Sequence, residues 1–168
     1  MHDVTEMSYL DFVFAVRDAI FAKREQGRAL SDAEKTVSHV WPFVAEVENG
    51  SLDQFLLNDS GNAYPETIDA LKQIGCKRAA GALETFATRL FGRNVPRDRM
   101  ERMIHLDSLP SSVRFGPPVD TLNQQVFEDD LRVAELAFIL DNQESLPVPD
   151  GPRWTLVADR RALRREQE

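Results

Sequence analysis

One cysteine, three histidines and no long apolar run set the first limits on this chain of 168 residues. A lone Cys76 cannot close an internal disulfide, which excludes a small cross-linked secreted scaffold. No stretch approaches the roughly 20 apolar residues of a membrane-spanning helix, and no charged segment leading into an apolar one marks a secretory signal near the N-terminus. The expectation is a cytoplasmic protein with no membrane partner. Glycine (8 residues) and proline (9) are too few and too scattered for a collagen-like or low-complexity chain. His2, His39 and His105 are dispersed, and neither an HExxH sequence, a phosphate loop nor a dinucleotide fingerprint occurs. Cys76 stands at the expected start of a helix, where a thiolate would be stabilised, but no partnering base accompanies it. Calcium-loop spacing is also missing. These gaps predict a non-enzymatic protein with no catalytic residue, metal or cofactor.

What the chain does have is negative charge. It carries 28 acids against 20 bases, a net of −8. Such a surface repels phosphates, so direct nucleic-acid binding is disfavoured and a basic partner fits better. The acids are unevenly placed: residues 1–60 hold 11 acids and 5 bases, and residues 111–149 hold 7 acids and 2 bases. Between them, residues 61–110 have a small basic excess. A moderate negative charge also serves solubility.

The periodicity is helical throughout, and the expected fold is an all-α bundle of six or seven helices. Over residues 5–26, Tyr9, Val13, Val16 and Ile20 form one stripe, with Leu10, Phe14 and Phe21 beside it and Gly27 as a stop. So wide an apolar surface suits either one core or a homodimer interface. Ser31 and Glu34 have capping-box spacing, and Pro42 is expected to kink or divide the helix that follows. Asn49 and Gly50 end that helix by tolerating the left-handed conformation, Ser51 caps a short one, and Asn58 to Gly61 read as a polar turn. Pro65 opens the next helix and Gly75 ends it. A further helix spans 77–91, and another after Pro96 presents Met100, Met103 and Ile104 as its apolar side. The last helical stretch, 121–143, is expected to break near Glu128 to Asp130, because a continuous helix would bury Asp130; an Asp then caps the final helix. This gives one helical domain over 1–146, followed by a Pro-containing linker and an Arg-rich tail over 147–168, which Trp154, Leu156 and Val157 could dock.

The segment from Glu46 to Gly75 carries the most specific pattern: Asn49-Gly50, then Gln54-Phe55, then Asn58-x-Ser60-Gly61, then Ile74-Gly75. Gln54 and Asn58 are four apart, so their amides share a helix face and are expected to tie the turn to neighbouring backbone groups. Neither amide transfers protons near neutral pH, which favours a scaffold over an active site. This segment is similar to the signature of a helical bacterial domain-of-unknown-function family related to DNA-mimic proteins. Ser51 and Leu52 depart from it where a second glycine and an aromatic are common, and Asn62 where an acid often follows.

The resemblance implies an acidic, dimeric protein that occupies the DNA-binding surface of a transcriptional regulator. Such a mimic must fix carboxylates in space, and residues four apart on a helix lie about 6 Å apart along its axis. The candidate partner-binding acids are Glu46, Glu48, Asp53 and Asp59 around the motif, and Glu128, Asp129, Asp130 and Glu135 further on. The rival expectation is an immunity or adaptor-type module that binds its partner without imitating DNA.

Overall fold

The first amphipathic stretch folds as α1 (Tyr9–Glu25). Ser8 opens it, accepting the Asp11 N–H on its Oγ at 3.3 Å, and Gly27 follows its end at φ +69°. In the computed structural model, which describes residues 2–3, 7–151 and 153–155, eight further helices follow. They are α2 (Asp32–Asn49), α3 (Leu52–Leu57), α4 (Tyr64–Gln73), α5 (Lys77–Phe91), α6 (Arg99–Ser108), α7 (Ser111–Arg114), α8 (Pro117–Val126) and α9 (Leu131–Asp141). A 3-10 turn, Asp59–Ala63, joins α3 to α4, and β1 (His2–Asp3) pairs in parallel with β2 (Trp154–Thr155). Seven of the helices among the described residues have ten or more residues, and the architecture is all-α. Leu156, Val157 and the arginines from Arg160 onward lie outside the described residues.

The chain forms two compact units, residues 39–131 and residues 1–38 with 132–168. In the unit built from the two ends, Phe12, Val16 and Ile20 of α1 meet Val37, Leu136 and Ile139 in a core where each is nearly inaccessible to water. Leu146 and Trp154 join that core, the Trp154 ring lying 5.1 Å from Phe12. Gln143 fixes the approach: its Oε1 accepts the Trp154 N–H at 2.7 Å and its Nε2 donates to the Trp154 carbonyl at 3.1 Å. The second stripe of α1 is half-buried, with Arg17 over the Phe14 ring and Arg24 over the Phe21 ring at 4.5 and 4.9 Å. The capping box is present, Glu34 N–H to Ser31 Oγ at 3.2 Å and Ser31 N–H to Glu34 Oε2 at 2.6 Å. Lys23 joins it through Glu34 Oε2, also at 2.6 Å.

In the 39–131 unit, Phe43 and Val44 of α2, Phe55 and Leu56 of α3, Leu71 of α4, and Leu83 and Phe86 of α5 form the core. Phe43 and Phe55 meet edge to face at 5.2 Å. Pro42 does not divide α2, although its missing N–H removes the partner of the Ser38 carbonyl, and the boundary between the units falls there. The last stretch breaks as expected between Val126 and Leu131, and Asp129 accepts the Arg78 and Ala79 N–H groups at the opening of α5 at 2.8 and 3.0 Å. The expected turn from Asn58 to Gly61 is instead taken up in the 3-10 turn. Gly50 is not left-handed: the positive-φ glycines are others, and the space a Cβ would fill there is taken by the Gln54 side chain.

Candidate protein-binding surface

The signature segment folds around one carboxylate. Glu46, on the last turns of α2, accepts from Gln54 Nε2 (2.9 Å) and Asn58 Nδ2 (2.8 Å) on Oε2 and from Ser60 Oγ (3.1 Å) on Oε1. The two amides do share a face, but their target is this side chain rather than backbone. Ser51 Oγ and Asn123 Oδ1 take the Gln54 and Leu52 N–H groups at the opening of α3, at 3.4 and 3.1 Å. A six-residue helix has few internal hydrogen bonds, so these polar side chains satisfy a large share of its end groups.

Its carbonyl end is closed by α6. Arg102 is fully buried, and all three guanidinium nitrogens donate: Nε to the Leu56 carbonyl (2.6 Å), Nη2 to the Asn58 carbonyl (2.8 Å) and Asn62 Oδ1 (2.9 Å), and Nη1 to the carbonyls of Pro96 (3.0 Å) and Arg97 (2.6 Å). Arg99 Nε donates to the Leu57 carbonyl at 3.0 Å. Burial pulls the Arg102 pKa down, opposed by the nearby charges of Asp98 and Asp59. Gly61 is the point of closest approach: a Cβ there would lie 2.8 Å from the Phe55 carbonyl oxygen and 3.0 Å from Arg102 Nη2. Asn62, which departs from the family pattern, is thus one of the guanidinium's partners.

Four of the eight candidate acids are engaged inside the fold. Glu46 is the hub just described, and Asp129 caps α5. Asp53 is buried and forms a two-point pair with Arg114, Nε to Oδ1 at 3.1 Å and Nη2 to Oδ2 at 2.9 Å. Hydrogen bonding to Asp53 raises the Arg114 pKa against the opposing effect of its own partial burial. Glu135 is 2% exposed and so withdrawn from solvent. Asp53 and Glu135 are thus withdrawn by burial, and Glu46 and Asp129 already accept donors within the fold. The other four face solvent. Glu48 and Asp130 are exposed, Asp59 has its side chain 81% exposed with Arg99 4.0 Å away, and Glu128 is paired with Arg78 at 2.8 Å.

Arg102 was not legible as a site residue, since three of its five partners lie 40 to 46 positions away in α3 and the turn after it. The expected apolar side of α6 is also corrected. Met100 and Ile104 are 58% and 68% exposed, and the helix instead buries Arg102 and Leu106. No group of three or more His, Cys, Asp or Glu side chains suited to a metal occurs among the described residues. Cys76 is buried, and no helix of the described residues is long and apolar enough to cross a membrane.

No curated protein and no solved structure matches the chain. A family model described as DMP19-like protein matches residues 28–142, which include the whole signature segment, both of its latches and six of the seven longer helices in full or in large part. On that match over more than half of its length, the chain belongs to the DMP19-like protein family.

Proposed function

We propose that this chain is a non-enzymatic protein-binding protein whose exposed carboxylates occupy the DNA-binding surface of a basic transcriptional regulator. The observation that carries the reading is membership of the DMP19-like family over residues 28–142, joined to a net charge of −8. The signature resembles that of a family related to DNA mimics, and its own polar groups serve the scaffold. Glu48, Asp59, Glu128 and Asp130 are the carboxylates of the predicted set that face solvent. Held on an internally braced scaffold, they meet a cationic surface with little ordering cost, and the attraction weakens as salt screens it. A homodimer would present the set twice.

The immobilised chain should capture a purified DNA-binding regulator, and duplex DNA should release it. Replacing Glu48, Asp59, Glu128 and Asp130 by their amides should weaken capture without unfolding the chain. Capture of a nuclease or other toxin, with no release by duplex DNA, would establish the immunity-type alternative. Sedimentation at several concentrations reads the subunit number.

A further inference from the structure

We propose that the outward face of α6, where Met100 and Ile104 lie between Glu101 and Asp107, docks a basic amphipathic helix of the partner protein. The inference rests on the protein-binding reading above and supplies it with a surface that the predicted acids did not include.

Four large apolar side chains among the described residues stand out as exposed: Met100, Ile104, Phe115 and Phe127. Met100 and Ile104 are four apart on one helix, so they form adjacent rungs about 6 Å apart along its axis. Glu101 and Asp107 are each three residues from Ile104, one on either flank, and both are exposed. The bases that would neutralise them are bound elsewhere. Arg102 is buried on the opposite face of α6, Arg99 donates to the Leu57 carbonyl, and Arg97 pairs with Glu66 at 2.8 Å. Arg114, which feels the charge of Asp107, is bound at two points by Asp53. Asp98, just before the helix, caps it through the Glu101 N–H at 3.0 Å, and His105 turns aside to the Leu90 carbonyl at 2.8 Å.

The result is an apolar ridge with a carboxylate on each flank, its neighbouring cations engaged with other partners. Its complement is a helix with apolar residues at helical spacing and Lys or Arg beside them, the ordinary helix-on-helix mode of recognition with the charges reversed across the contact. The anchoring of α6 suits it to this task. Arg102 and Arg99 fix the inner face to α3, so the outer face is presented without a further ordering step.

The test is a fluorescence-anisotropy titration of the full chain with a labelled synthetic helix of about 18 residues, leucine at helical spacing and lysine elsewhere. The double change Met100→Ser with Ile104→Ser should weaken binding about tenfold or more. Glu101→Gln with Asp107→Asn should weaken it about threefold and flatten its salt dependence. Phe127→Ser, an exposed apolar residue elsewhere, should leave it unchanged. Equal losses in all three variants, or no loss in the first, would overturn the proposal. A dimer that the first variant turns into a monomer would overturn it too, making the face a contact between copies. Regulator capture that survives Met100→Ser with Ile104→Ser but is lost in the four-amide variant would remove α6 and keep the DNA-mimic reading. If the titration goes as expected and duplex DNA displaces nothing, mimicry falls and the α6 surface stands.

Discussion

The unit made from the chain ends relies on long helices and apolar contact, with α1 running 17 residues and Trp154 seated 5.1 Å from Phe12. The 39–131 unit contains α3 with six residues, α7 with four and a five-residue 3-10 turn. Short helices leave most of their N–H and C=O groups without an internal partner, and a buried one is costly. That unit therefore answers with charged side chains aimed at helix ends, Arg102 and Arg99 on the carbonyls of α3 and Asp129 on the N–H groups of α5, while Glu46 ties together the side-chain amides of Gln54 and Asn58. The comparison explains what the signature segment is for. Its polar side chains gather on Glu46 and hold the turn, while the ends of α3 are met largely from outside the segment by Arg102, Arg99 and Asn123.

The contrast can be broken most severely at Arg102. Arg102→Met removes the guanidinium donor from five acceptors and should destabilise the protein by about 4 kcal/mol in denaturant unfolding. Arg102→Lys should recover little of it, because an ammonium cannot reproduce the planar fork. In the other unit the matching change is apolar: Trp154→Ala should cost about 3 kcal/mol, through the cavity beside Phe12. Glu46→Gln keeps the shape but turns one accepting oxygen into an NH2 and takes the charge from all three hydrogen bonds, and about 2 kcal/mol should be lost, with the 39–131 unit affected first.

The smallest effect concerns pH. Burial pushes the Glu34 pKa up, but hydrogen bonds from Lys23 and Ser31 and the Lys23 charge outweigh it and hold the carboxyl below the ordinary glutamate value. A folded-state value below the unfolded one adds stability that is complete above the unfolded pKa and is lost as pH falls through the folded one. Glu34→Gln should thus cost about 1 kcal/mol at neutral pH, a difference that shrinks on acidification in paired unfolding curves.

The sequence makes the local devices legible. The Ser31–Glu34 box, the helix-ending glycines at 27, 75 and 92, and the break before Leu131 all depend on neighbours within a turn or two. The same holds for the shared face of Gln54 and Asn58, since four-residue spacing fixes it, although not for its target on Glu46. Long-range pairing left no such trace. Asp53 meets Arg114 across 61 positions and Asp129 meets Arg78 across 51, so two apparent surface acids turn inward. Periodicity also misjudged α6. Met100, Met103 and Ile104 look like a core stripe, yet the helix faces Arg102 inward, where it makes five hydrogen bonds, and leaves Met100 and Ile104 exposed. Gly61 is needed for space rather than for backbone conformation, which a glycine in a sequence does not distinguish.

The claim that the signature segment is a scaffold latched from α6 is open to native-state hydrogen exchange on Arg102→Lys. Exchange should rise first and most at the amides of residues 52–63, at denaturant concentrations where the rest of the 39–131 unit is still protected. Protection of 52–63 that stays at the wild-type level in that variant would contradict the claim.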